Sequence, residues 1–178
     1  MRINQIVWQH GGMAALISII LSLVAYIMGV EMLVGWQLGA AQSLLIIITM
    51  VVVSRAIRSD EDGFINFGRL LGHIMISVVC LLLASIIFNL VLFNIIDPDL
   101  INIVTEINME RVEDMMVSFG IDGDILKETL IEAEKEVRNG YKVGGAIKGL
   151  VYGSAVWGLI ALIIAAIYKR SPENTINF

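Results

Sequence analysis

Apolar residues run almost without a break through four stretches of the chain, roughly residues 12–28, 35–53, 70–96 and 146–168. A helix needs roughly 20 residues to cross a hydrocarbon core about 30 Å thick, and a spanning segment must satisfy its own backbone hydrogen bonds. The pattern predicts an all-α integral membrane protein with four transmembrane helices. No A-x-A site follows the first run, so it is expected to be a retained helix rather than a cleaved signal peptide.

Only one long polar segment interrupts these runs, residues 97–143 between the third and fourth. Asp97-Pro98 reads as a helix N-cap with proline at the first helical position, where its missing N–H costs nothing. Leu100, Val104, Ile107, Met115 and Phe119 then recur at helical spacing, and Gly120 offers a stop. A second helix is expected after Asp122-Gly123-Asp124, with Leu126, Leu130, Ala133 and Val137 on one face and Gly140 ending it. Glu134 and Arg138 are placed for an i,i+4 pair. The expectation is a single membrane domain over residues 1–178, carrying 97–143 as an acidic two-helix hairpin that caps the bundle.

Composition strengthens the membrane reading: 57% of the 178 residues are apolar, 16% are charged, and the mean hydropathy is +0.83. The net charge of −5 is unevenly spread. Residues 97–142 hold twelve acidic residues against five basic ones, a net of −7. Such a face is repelled by anionic lipid, which favours a cap above the bundle over a helix pair lying on the membrane. Basic residues set the orientation. Arg2, Arg55, Arg58, Arg69, Lys169 and Arg170 fall on the side shared by both termini, which predicts cytoplasmic termini and an extracytoplasmic acidic loop. Lys142 and Lys148 lie on the other side. Trp8 and Tyr168 would mark one interface, Tyr26 and Trp36 the other.

Candidate chemistry is sparse. There is no HExxH, nucleophile elbow, phosphate loop or dinucleotide fingerprint, and the chain is not expected to be an enzyme. Asp97-Pro98-Asp99 and Asp122-Gly123-Asp124 read as helix caps and a turn, because an EF-hand needs further ligands that these positions lack. His10 and His73 lie near the same ends of their helices, yet no third ligand accompanies them. Cys80 is the only cysteine and cannot pair within the chain. No cofactor or metal is therefore expected, and nothing points to nucleic acid. No ionisable residue sits at the centre of a span, which leaves Gln42, Ser77, Ser85, Asn89, Asn94 and Ser154 as the intramembrane polar groups. Four tightly packed helices are expected to leave little lumen.

Small residues form the most specific intramembrane pattern. Gly145, Gly149 and Gly153 recur every four residues, as do Gly35, Gly39 and Ser43, and Gly68 is followed by Gly72. Such notched faces let backbones approach closely, either within one bundle or against another subunit. Gly63-Phe64-Ile65-Asn66-Phe67-Gly68 and Gly140-Tyr141-Lys142-Val143-Gly144-Gly145 also echo one another before the third and fourth spans. Coincidence or shared anchoring chemistry explains that echo more simply than an inverted repeat.

Taken in order, the chain shows two helices, a basic loop ending in Gly63-Phe64-Ile65-Asn66-Phe67-Gly68 and a long helix closed by Asp97-Pro98-Asp99. An acidic pair and a glycine-rich last helix ending in Tyr168-Lys169-Arg170 follow. This arrangement resembles the small bacterial membrane proteins of the domain-of-unknown-function 4199 family. The resemblance implies a bacterial inner-membrane protein of this topology and carries over no catalytic residue. Of the functions left, a non-catalytic accessory or scaffold subunit docking a membrane-protein partner is favoured, through the notched helices and the acidic hairpin. The alternative is a homo-oligomeric channel or transporter for a small neutral solute.

Overall fold

The computed structural model describes residues 2–61 and 63–170, without the side chains of Arg2 and Ile3. The Arg2 charge counted for orientation thus lies outside the described residues. Seven α-helices occur among them: α1 (Arg2–Met28), α2 (Val30–Leu33), α3 (Trp36–Asp60), α4 (Phe67–Val91), α5 (Leu100–Ser118), α6 (Gly123–Gly140) and α7 (Val143–Tyr168). A π-helical turn, Leu92–Ile96, prolongs α4. The described residues form no strand, only a lone antiparallel bridge between Ile65 and Arg170. Four helices are long and apolar enough to cross a membrane: Asn4–Met28, Trp36–Asp60, Phe67–Ile96 and Val143–Tyr168. Each contains one of the apolar runs and extends into flanking polar residues.

The centre of the bundle is α4, which packs against α1, α3 and α7, while α3 also contacts α1 and α7. Its neighbour α1 offers a face of small side chains: Gly11, Ala14, Ser18, Ser22 and Ala25 are all buried. Their spacing of three and four residues keeps them on one helical stripe. At Gly11 the approach is closest, since a Cβ built there would lie 3.3 Å from Ser77 Cα. The contacts Gly11–Ser77, Ser18–Ser85 and Tyr26–Asp97 advance together along both segments, so α1 and α4 run parallel. Met50, Val53, Ile57, Leu70, Ile74, Val78, Ala161 and Ala165 fill the interior. Large apolar side chains such as Leu16, Ile20, Ile48, Ile87, Leu159 and Ile163 stand exposed around the outside. An exterior of that kind suits lipid rather than water.

The end that carries both termini is tied by backbone and side chains together. Ile65 and Arg170 exchange N–H···O bonds of 3.0 and 3.1 Å. Arg55 Nε donates to the Tyr168 hydroxyl at 3.2 Å, and Arg69 Nη1 lies 3.1 Å from the Glu61 carboxylate. Lys169 and Arg170 stand over the rings of Phe67 and Phe64, each 5.9 Å from the centroid. The Asn66 side chain caps α4 by accepting from Gly68 N at 2.9 Å.

At the opposite end α5 and α6 pack on each other, and Leu33, Leu92, Phe93, Leu100 and Val104 form a second core. Gly120, at φ +76°, closes α5: its N–H bonds to Val117 O and that of Ile121 to Met116 O. This is a Schellman arrangement, which glycine enters without steric cost. The start of α5 differs from the sequence expectation. The helix begins at Leu100 rather than Pro98, and i→i+3 bonds run from Leu100 N to Asp97 O and from Ile101 N to Pro98 O. Asp97 does not cap the helix. Its carboxylate accepts from the Tyr26 hydroxyl at 3.0 Å, a partner from α1 that sequence spacing cannot reveal. The Glu134–Arg138 pair is present at 2.9 Å, and Arg138 also donates to Asn102 Oδ1, joining α6 to α5.

The Gly11 contact generates a test. Gly11→Leu is expected to cost about 1–3 kcal/mol by overpacking α1 against the α4 backbone. Gly72→Leu, where a Cβ meets nothing within 4 Å, should be close to neutral. Unfolding of both variants in detergent micelles, followed by far-UV circular dichroism, checks the difference.

Candidate functional site

Three helices meet at a polar knot inside the bundle. Ser18 Oγ donates to Gln42 Oε1 at 2.7 Å, and Gln42 Nε2 returns bonds to Ser18 O at 3.1 Å and Ser22 Oγ at 3.2 Å. Ser85 Oγ lies 2.6 Å from Ser18 Oγ. A hydroxyl has one proton. With the Ser18 proton committed to Gln42, the single Ser85 proton is shared between two acceptors, Ser18 Oγ and Leu81 O at 3.0 Å. The knot therefore links α1, α3 and α4 with no polar atom left over, as an apolar surround demands. Gln42 and Ser85 are visible in the sequence as isolated polar residues. Ser18 and Ser22 were missed; their signal is the i,i+4 spacing within the small-residue stripe of α1.

Beyond the knot, toward α5 and α6, α7 moves away from α3. Between Tyr141 and Trp157, α7 contributes no side chain to either core. The result is a partly open cavity of about 690 Å³, contrary to the expectation of little lumen. Its apolar wall includes Leu38, Ile46, Leu81, Leu82, Ile86 and Leu90, and its polar groups are Ser22, Gln42, Ser85, Asn89, Asn108 and Tyr141. Asn108, which also lines the cavity, uses Nδ2 on Val104 O at 2.8 Å. Tyr141 stacks on Phe93 with centroids 4.3 Å apart, and its backbone carbonyl accepts from Asn94 Nδ2 at 3.1 Å. Burial pushes the Tyr141 phenol above its usual range, so it stays a neutral donor at physiological pH. The π-turn places Phe93 and Asn94 for both contacts. Such turns are frequent at functional positions.

The expected small-residue faces divide. Gly35, Gly39, Gly145 and Gly149 come together around this cavity, whereas Ser43, Gly68, Gly72 and Gly153 do not line it. Gly145 answers a local need, because a Cβ there would run into the Asn139 carbonyl at the end of α6. Gly35 is similar, with the Glu31 carbonyl 2.9 Å from the position a Cβ would take. At Gly39 and Gly149 a Cβ meets nothing within 4 Å, and at Gly153 only Leu82 Cδ1 at 3.7 Å.

On the polar pair, Leu100 and Val104 are buried, Ile107 is half-buried, and Met115 and Phe119 stand exposed. Leu126, Leu130 and Val137 are half-buried, and no residue of α6 is fully buried. A second hollow of about 810 Å³ lies beside α2 and α5, lined by Glu31, Trp36, Glu110, Arg111 and Asp114 among others. Arg111 crosses it to donate to Val34 O at 2.8 Å. The histidines act within their own helices: His10 Nδ1 lies 3.1 Å from Ile6 O, and His73 Nδ1 lies 2.6 Å from Arg69 O. Among the described residues no three His, Cys, Asp or Glu side chains gather to hold a metal ion.

Four helices long and apolar enough to cross a membrane, an apolar exterior and interior polar groups bonded to one another are the features of a multi-pass helical membrane protein. Residues 9–170 match a family described as a protein of unknown function, the domain-of-unknown-function 4199 family, and the chain belongs to it. No curated protein and no solved structure matches.

The knot predicts a measurable coupling. Gln42→Leu is expected to destabilise the bundle by about 0.6–2 kcal/mol, the range of single interhelical hydrogen bonds in membranes. Ser18→Ala should cost a similar amount. The double variant should cost less than the sum, because the two substitutions remove shared bonds. A double-mutant cycle in micelles measures it, and strict additivity would show the knot to be energetically idle.

Proposed function

We propose that this protein is a non-catalytic accessory or scaffold subunit of the bacterial inner membrane that docks a membrane-protein partner through the α5/α6 pair. Both termini are cytoplasmic in this reading, and the pair is extracytoplasmic. The orientation is supported by Arg55, Arg58, Arg69, Lys169 and Arg170, which lie in the last turns of α3, the first turn of α4 and just past α7, at the terminal end.

One observation carries the docking assignment. Outside the four spans, Phe119, Ile125 and Ile131 are exposed by 76%, 68% and 69% in a segment of net charge −7. Large apolar side chains exposed on acidic helices are candidates for a contact surface, and the acidic surroundings disfavour anionic lipid as the counterpart. A partner surface with basic residues around an apolar pocket has the matching chemistry. The alternative, a homo-oligomeric channel or transporter for a neutral solute, draws on the uncharged cavity.

Two measurements test this reading. Affinity purification of the full chain from native membranes should recover a stoichiometric protein. Phe119→Ser, or Glu128→Lys with Glu132→Lys, should lower its yield at least tenfold. Recovery of a lone monomer would sink the docking reading, and a homo-oligomer with solute flux in vesicles would support the alternative. In a Cys80→Ser background, Ser118→Cys should react with a membrane-impermeant maleimide from outside, and Ser59→Cys only after the membrane is opened. The reverse labelling would invert the topology.

A further inference from the structure

We propose that the cavity between α3, α4 and α7 is a binding site for one uncharged amphiphile, a hydrocarbon chain with a hydroxyl- or carbonyl-bearing head such as a monoacylglycerol. This goes beyond the docking role and does not depend on it. The volume, about 690 Å³, lies within the usual range for small-molecule sites. Leu82 and Ile86 offer an apolar wall for the chain, while the Asn89 and Asn108 carboxamides and the neutral Tyr141 phenol can bond a head.

Charge decides the ligand class. No Asp, Glu, Lys, Arg or His lines the cavity, so a carboxylate or phosphate would be desolvated without a counter-charge. The glycines supply the second argument. Glycine inside a helix is less favourable than alanine. At Gly39 and Gly149 no close helix contact compensates for it, because a Cβ would meet nothing within 4 Å. Because both positions line the cavity, a larger side chain at either would take up its space.

The test uses the full chain, purified without partners and reconstituted in phosphatidylcholine vesicles. A monoacylglycerol carrying a diazirine in its chain is compared with a fatty acid and a phosphatidylglycerol bearing the same chain. Irradiation should label peptides containing Leu82, Ile86 or Gly149 at least tenfold more with the monoacylglycerol than with either anionic probe. Unlabelled monoacylglycerol should compete. Gly39→Leu and Gly149→Leu, on different helices, should each reduce labelling at least tenfold, and Gly72→Leu, outside the lining, should leave it unchanged. Competition in the unsubstituted protein decides the matter without any variant. Equal labelling by all three probes, or no competition, would overturn the proposal by showing bulk lipid in the cavity. Loss of a copurifying protein bears on the docking reading alone.

Discussion

Apolar side chains gain nothing from leaving lipid for a protein interior, so helices of this kind cohere only where backbones come close or polar groups must pair. Both conditions meet on α1. Its buried face of Gly11, Ala14, Ser18, Ser22 and Ala25 brings it against α4, closely enough that Gly11 abuts Ser77 Cα. In the same register Ser18 lies 2.6 Å from Ser85 and 2.7 Å from Gln42. The small stripe permits the approach, and the polar knot specifies how far along each helix it occurs. A slip by one residue would rotate the serines off the shared face and strand the Gln42 carboxamide in an apolar surround.

The rest of the bundle follows from that fixed three-helix seam. Its fourth spanning helix, α7, packs well only over Trp157–Tyr168, where Ala161, Ile164 and Ala165 are buried. Nearer α6 it carries Gly145, Gly149 and Gly153, and with little side chain to offer it leaves the cavity beside α3 and α4. Conformational freedom is expected to be greatest there, since few buried contacts hold that half of α7.

The two ends are closed by different chemistry. At the terminal end, a backbone bridge between Ile65 and Arg170 holds the last helix to the loop before α4, with aromatic rings under the flanking cations. At the other end the closure is a small second core joined by side-chain bonds: Tyr26 to Asp97, Asn94 to Tyr141 O, Arg111 to Val34 O. The long polar segment is thus anchored at its base, through Leu100 and Val104, while its distal portion leaves Phe119 and Ile125 uncovered.

Four helices long and apolar enough to span a membrane, the two polar helices and the stop of the first at Gly120 were legible in the sequence. Each depends on local chemistry: the length of an apolar run, helical spacing, and the steric freedom of one glycine. The Glu134–Arg138 pair was legible for the same reason, being one turn apart on a single helix. The Asp97 carboxylate was not: four alternating spans already make α1 and α4 parallel, but nothing in the sequence says that these two helices pack side by side and bring Tyr26 to it. Nor was the use of the glycines. Gly149 and Gly11 present the same missing side chain in sequence, yet one borders open space and the other touches a neighbouring backbone. Composition and periodicity determine which segments become helices and which faces they can offer. Which faces meet, and where they fail to meet and leave a cavity, is decided only when all the helices compete for the same contacts.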